Sequence, residues 1–348
     1  MKNCEKPANL VTFVIFCYNQ ESYIKDAVLG ALSQNYSPLE IVISDDSSSD
    51  NTVSEIKKCL ADYSGPHKIR VNINACNMGL IAHINHVMKN FVASDFVVVA
   101  AGDDISLPHR VERLHEVWNV GKPTVKSIHS SSFIINADGS LTTEKKSYIR
   151  NQAKINLLEN HVHENIAVLG AAHAWDMDIF RVFGSINEKT VNEDIVIPFR
   201  ACLIGSVAFC PEALVKYRRG VGFWGPLSTA NKNTRRRPIR FYKVNYYLWL
   251  QKYHDFKLYN FSDTYARAFK RRRAESIFKI HYLKNKKTTI KKLLFFIKRI
   301  GVVSLVYNVL VLKNPKLMWV IERFGQFFSG KIGMKKIFYF LTKIISKK

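Results

Sequence analysis

Asp95-Phe96-Val97-Val98-Val99-Ala100-Ala101-Gly102-Asp103-Asp104 is the stretch that decides the fold, with Asp95–Ala101 read as its strand. Six apolar residues in an unbroken run read as a strand buried on both faces, and two carboxylates follow it almost at once. The same pattern recurs upstream. Val11–Tyr18 is apolar, β-branched and aromatic and ends at Asn19, and Glu40–Ser44 is a buried strand ending in Asp45-Asp46. Lys68–Asn74 is a further strand, while Glu21–Gln34, Asn51–Tyr63 and Gly79–Phe91 carry helical spacing. Strands joined by helices at intervals of about 30 residues are βαβ units. The expected class is therefore α/β, a mostly parallel sheet with helices on both faces.

Downstream the regularity loosens. Lys126–Asn136 reads as a strand with a turn at Ala137–Ser140, Glu193–Leu203 as a helix, and Val207–Phe209 and Ala213–Tyr217 as short strands. Open sheets of this class bind ligands beyond the carboxyl ends of their strands, near the point where strand order reverses. Two predicted strands put paired aspartates there. Adjacent carboxylates tolerate each other beside a cation or hydrogen-bond donors, and a hard divalent ion suits such oxygen ligands. That ion can also act as a Lewis acid on a diphosphate leaving group. Turn formation and helix capping are the plainer account of Asp45-Asp46 and Asp103-Asp104. A third pair, Glu193-Asp194, opens a predicted helix, where the dipole alone favours a carboxylate. His83 and His86, and His161 and His163, have no further ligand at metal spacing; no Walker loop, dinucleotide fingerprint or serine elbow occurs.

Taken in order, the motifs resemble an inverting family-2 glycosyltransferase of the GT-A (Rossmann-like) fold. Val14–Asn19 resembles the family's opening strand and Tyr-Asn turn, and Asp45–Asp50 its nucleotide-binding aspartate loop. Asn77-Met78-Gly79 matches an Asn-x-Gly after the third strand, Gly102-Asp103-Asp104 resembles the Asp-x-Asp-type motif, and Glu193-Asp194 resembles the catalytic Glu-Asp pair. Arg200-Ala201 and Tyr217-Arg218-Arg219 fit a subgroup that builds bacterial surface polysaccharide. The resemblance spans about residues 9–220. It implies that Tyr18 and Asp45 contact the base, that Asp46 supports that loop or shares the contact, and that Asp103 faces the ribose. It further implies that Asp104 binds Mn2+ or Mg2+ on the diphosphate, and that Asp194 is the general base, with Glu193 orienting the acceptor or assisting. Trp175 and Asp176 would then line the acceptor pocket, Trp175 stacking on sugar or else serving as a core aromatic. Two departures stand out. Ser47 occupies a place that is often Gly in the family, and no His follows Tyr217-Arg218, so Arg218 or Arg219 is a candidate to neutralise diphosphate instead. The Gln-x-x-Arg-Trp signature of processive synthases is missing, which points to addition of one sugar.

Charge divides the 348 residues unevenly. The formal net charge is +24, with 52 Lys and Arg against 28 Asp and Glu. From Pro226 onward there are 30 basic and 4 acidic residues, leaving 22 and 24 before it. The expected organisation is a catalytic domain over residues 1–225 and a basic, aromatic-rich, helical membrane-associating region over 226–348. Lys291–Leu312, Leu317–Phe328 and Lys335–Ile345 are apolar on one side and basic on the other, which suits an anionic membrane surface better than nucleic acid. No run of about 18 uninterrupted apolar residues is present, so a membrane span is not expected. Six scattered cysteines without a CxxC pair, and an apolar Leu10–Tyr18 too short for a secretory leader, point to a reducing compartment. The expectation is a peripheral enzyme on the cytoplasmic face of the inner membrane. It would take a sugar from a nucleotide-sugar, UDP-linked, to a glycan on a polyprenyl diphosphate, for O-antigen or capsule. The alternative is a catalytically silent relative whose basic tail binds nucleic acid or anionic surfaces.

Overall fold

The computed structural model describes residues 9–146, 158–221, 239–259, 263–285 and 299. Its first half alternates strand and helix: β1 (Val11–Cys17), α1 (Ile24–Leu32), β2 (Leu39–Asp45), α2 (Thr52–Leu60), β3 (Lys68–Ile73), α3 (Leu80–Asn90) and β4 (Phe96–Ala101). There follow β5 (Ile105–Ser106), α4 (Arg110–Gly121), β6 (Val125–Ile135), β7 (Leu141–Lys146), α5 (Leu158–His163) and a 3-10 turn at Gly170–Ala172. The remaining elements are β8 (His173–Asp176), α6 (Asp178–Phe183), α7 (Glu193–Ile204), β9 (Ser206–Arg218), α8 (Ile239–Leu258) and α9 (Asp263–Asn285).

The sheet runs β3-β2-β1-β4-β8-β6-β9-β5, with β7 paired to β6. β3, β2, β1 and β4 are mutually parallel. The chain moves outward from β1 to β3 and then returns across the sheet to β4. Crossovers are right-handed, so reversing the direction of travel moves the connecting helix to the other face. The two cores show this. Phe13, Ile15, Ile41, Ile43 and Val98 pack with α1, α2 and α4, whereas Val14, Val42, Val97 and Val99 pack with α3 and α7. Alternate residues of each strand enter opposite cores, which is why the strands read as unbroken apolar runs.

Beyond β4 the sheet is mixed. β8 is antiparallel to β4 and β6, β6 is parallel to β9, and β5 is antiparallel to β9. The mostly parallel pattern thus belongs to β1–β4. The two short strands expected near the end are one long β9, whose register against β6 skips Pro211-Glu212. Proline removes a ladder donor, so the chain bulges there and resumes.

Packing also divides the chain away from the compositional boundary. Residues 244–273 belong to the same compact unit as the sheet, and the second unit comprises residues 231–243 and 274–348. Within the first unit, Phe199 and Leu203 on α7 form a core with Trp249 and Phe256 on α8 and Phe269 on α9. At its edge Arg200 Nε donates to Asp255 Oδ2 at 2.8 Å and Arg200 Nη2 to Asp255 Oδ1 at 3.2 Å, both side chains being fully buried. Among the described residues no helix is long and apolar enough to cross a membrane. The three amphipathic tail segments lie outside the described residues, Arg299 excepted.

Removing one partner of a buried ion pair strands the other's charge, at a cost of about 3–5 kcal/mol. Asp255→Ala is therefore expected to destabilise the sheet domain itself by about that amount. Urea unfolding followed by a signal from the sheet measures it. An unchanged midpoint means that α8 is not part of this unit.

Candidate active site at the carboxyl ends of β1, β2 and β4

The turn after β1 exposes Tyr18, 46% accessible, and bends through Asn19 at φ 49°. Asparagine tolerates this left-handed conformation better than most residues. Its backbone N–H donates to Ser48 Oγ at 2.8 Å, and its side-chain oxygen accepts from Ser49 N–H at 2.8 Å. Gln20 and Glu21 N–H donate to Thr52 Oγ1 and the Asp50 carboxylate, and the Glu21 carboxylate accepts from Asn51 N–H. The loops after β1 and β2 therefore hold each other through side chains.

Asp45 and Asp46 are both buried, and both accept from this chain's own donors. Asp45 accepts from the N–H and hydroxyl of Ser48 and from the Cys17 thiol. Asp46 accepts from Asn74 Nδ2 at 2.8 Å, Met78 N–H at 3.0 Å and Gly79 N–H at 2.9 Å. It clamps the Asn77-Met78-Gly79 loop to the end of β2. Asn72 links Asn74 to Ser44, and Ser44 Oγ lies 2.6 Å from His83 Nε2. Burial pushes the His83 pKa down to about 4, so the ring is neutral and serves this network.

Gly102 follows β4 where a Cβ would sit 2.8 Å from the Cys17 Cβ. The missing side chain lets β4 end flush against β1. Gln20 bonds the Asp103 carboxylate, and Asp104 Oδ1 accepts from Arg218 N–H at 2.7 Å. Burial raises the pKa of both aspartates, and the Asp103 charge raises that of Asp104 further. A pair of carboxyls raised in this way is short of positive charge, and a hard cation meets that need. Among the described residues no three His, Cys, Asp or Glu side chains are grouped to hold a metal alone. The donor set thus fits an ion held by one or two carboxylates together with diphosphate and water, the arrangement usual for Mg2+.

Glu193 and Asp194 open α7. Val168 N–H donates to Asp194 O at 3.0 Å, and a Cβ on Gly170 would meet Glu193 Oε1 at 2.9 Å. The turn at Gly170–Ala172 leads directly into β8, whose Ala174 pairs with Val98 of β4. The acidic pair is thereby tied to a turn at the carboxyl end of β4. Burial raises both pKa values, Glu193 to about 8 with a contribution from its neighbour, and Asp194 to about 6. Asp194 Oδ1 is buried and has no hydrogen-bond donor.

Three of the expected side chains lie elsewhere or are occupied. Trp175 is buried in the core with Val97 and Ile179 and presents no face for a sugar. Asp176 pairs with Phe96, at the amino end of β4, and accepts from Lys126 Nζ and Trp118 Nε1. Because β8 runs antiparallel, its last residues point away from the site, and only Gly170–Ala172 remains beside it. Arg218 is buried and engaged: Nε donates to Asp103 O, Nη1 to Ala137 O and Nη2 to Asp26, and the guanidinium lies over the Tyr23 ring. It braces the Asp103-Asp104 turn, and most of its N–H donors are spent on this chain's own oxygens. Arg219 is exposed, and its N–H donates to Ile135 O.

Arg110, absent from the sequence reading, lies fully buried behind the same turn. A cation in the first turn of a helix opposes the dipole, and that misfit is the one sequence signal that marks it.

Residues 12–170 match the Glycosyl transferase family 2 profile. The chain carries a glycosyl transferase family 2 domain. An uncharacterized glycosyltransferase of Haemophilus influenzae is 25% identical over 261 residues, 71% of this chain and 76% of its own length. The putative glycosyltransferase EpsE of Bacillus subtilis is 32% identical over 103 residues, 30% of this chain, which spans 36% of EpsE. The crystal structure of S. aureus TarS 1–349 in complex with UDP-GlcNAc aligns with a TM-score of 0.52 at 16% identity, over 86% of this chain and 81% of that one. At this identity the likeness shows the GT-A fold.

The backbone at Ser47 has a φ of 62°, a conformation that glycine adopts without cost and serine does not. Ser47→Gly relieves about 1–2 kcal/mol of left-handed strain and adds about 0.4–1 kcal/mol of unfolded-chain entropy. The expected net is a gain of about 0.5 kcal/mol, measured by denaturant titration. A loss of stability would mean that the serine side chain holds the loop.

Proposed function

We propose that this chain moves one sugar from a UDP-linked donor to a glycan acceptor by a single inverting displacement, with Asp194 as general base. The observation that carries the reading is the buried, donorless Asp194 Oδ1 at the start of α7. A buried acceptor without a partner is costly, and an incoming acceptor hydroxyl supplies the missing donor. Its pKa of about 6 leaves it ionised at neutral pH yet basic enough to take a proton as that hydroxyl attacks. Glu193, held near 8, keeps its proton and would donate to the same acceptor. Tyr18 offers an exposed ring beside the β2 loop for the base, and Asp45 and Asp46 act by shaping that loop.

Asp104, with Asp103, would hold Mn2+ or Mg2+ against the donor diphosphate. Such an ion, when bound, neutralises the leaving group. UDP in the donor is supported by the ligand of the TarS complex. A lipid-linked acceptor for surface polysaccharide, and a peripheral station on an anionic membrane, are supported by the basic composition from Pro226 onward.

Asp194→Asn is expected to abolish sugar transfer while leaving UDP binding intact, read by product formation and by calorimetry. In the wild type the acid limb of kcat/KM falls as pH drops through about 6, because the base must be deprotonated. The linked stability runs the other way. A carboxyl whose folded pKa is raised disfavours the native state once ionised, so Asp194→Asn unfolds at a higher temperature than wild type at pH 8, and the gap closes toward pH 4. Undiminished transfer by this variant removes Asp194 from the reaction.

Asp104→Ala tests the donor side. Thermal stabilisation by UDP with Mn2+ or Mg2+ is expected to drop to the level seen without the ion. Equal stabilisation of wild type with and without metal would instead show that the ion has no part in binding. No response of wild type to any nucleotide would favour a silent binding protein.

A further inference from the structure

The guanidinium of Arg110 is fully buried, and among the described residues no carboxylate lies within ion-pair distance of it. Burial lowers its pKa to about 9, opposed by the charge of Asp104. A buried cation without a salt bridge is expensive, so its hydrogen bonds must do something that an apolar side chain cannot. Nη2 donates to Val99 O at 2.6 Å and to Ala171 O at 2.9 Å, and Nη1 donates to Ser106 Oγ at 2.8 Å.

Those three acceptors belong to different parts of the site. Val99 lies in the strand that delivers Asp103-Asp104, and Ser106 lies in the short strand just after them. Ala171 lies in the turn whose neighbour Gly170 abuts Glu193 and whose preceding Val168 N–H holds Asp194 O. The sheet ladder does not reach from Val99 to that turn, since β4 and β8 pair only over Phe96–Val98 and Ala174–Asp176. The fork of one guanidinium spans the place where the ladder stops.

We propose that Arg110 is a positioning residue that fixes the turn at Gly170–Ala172, and through it Glu193-Asp194, relative to the Asp103-Asp104 turn. It touches neither donor nor acceptor. Its part in turnover rests on the reading of Asp194 as base, and its part in holding the turn does not. Lysine preserves the charge but has no planar fork, so it cannot reproduce three divergent hydrogen bonds.

The test is Arg110→Lys in the full chain, read in two ways. Amide hydrogen exchange should quicken by about tenfold or more at Val168 and Ala172, while Met78 and Gly79 in the Asp46 clamp keep wild-type rates. With UDP-sugar, kcat should fall by about tenfold or more, and the Kd for UDP with Mg2+ should stay within about threefold. Ser106→Ala removes one acceptor with less disturbance. It should quicken exchange at the same two amides by about threefold, which keeps the test in hand if Arg110→Lys fails to fold. Unchanged exchange at Val168 and Ala172 overturns the proposal, as does faster exchange spread equally over the Asp46 clamp. If wild type turns over no nucleotide-sugar, the base assignment of Asp194 fails, and the exchange result still decides the role of Arg110.

Discussion

The reversal of strand order at β1 is the constraint on which the rest of the site depends. With β2 on one side and β4 on the other, the helices that follow β1 and β3 must leave on opposite faces. The loops between them diverge and open a crevice, where backbone N–H groups have no strand to bond. Side-chain oxygens take them instead: Asp46 for Met78 and Gly79, Asp50 for Glu21, Glu21 for Asn51, and Asn19 for Ser49. The polar density of this edge is thus first a structural necessity, and binding uses what is left over.

What is left over can be identified by counting donors. Asp46 accepts three hydrogen bonds and Asp45 three, so most of their acceptor capacity is committed to holding the loops. Asp104 takes one bond from a backbone N–H beside the negative Asp103, and one oxygen of Asp194 takes none. Both have pKa values raised by burial. Well-supplied carboxylates build the scaffold, and the undersupplied ones are those to which the proposed function assigns a cation, at Asp104, and an acceptor hydroxyl, at Asp194. The two classes are indistinguishable as letters, since each is an acidic pair at the end of an apolar run or the start of a helix.

This is why the sequence is legible to different depths at different places. Buried parallel strands advertise themselves through unbroken apolar runs, and the carboxylates after β2 and β4 are located by the strand ends alone. Antiparallel β8 defeats the same reasoning. The family resemblance assigns Trp175 and Asp176 to the acceptor pocket, whereas every residue after Ala172 steps back toward the amino end of β4. Arg218 fits diphosphate by type, yet its buried guanidinium is held by Asp103 O, Ala137 O and Asp26. Arg110 gives no motif at all, because what it does depends on where two distant carbonyls meet.

The basic second part of the chain carries the same lesson about composition. Charge density from Pro226 onward is a real asymmetry, but charge has no necessary address at the surface. Lys252, inside this stretch, is fully buried between Phe199 and Trp249, and its Nζ donates to His161 O and Glu164 O at the end of α5. Burial pulls its pKa down to about 7. Asp255, one of only four acidic residues from Pro226 onward, is consumed by Arg200. Part of the stretch that reads as a charged appendage is therefore built into the compact unit that contains the sheet. Packing decides the boundary, because a helix that buries Trp249 and Phe256 against α7 cannot be detached without exposing that core.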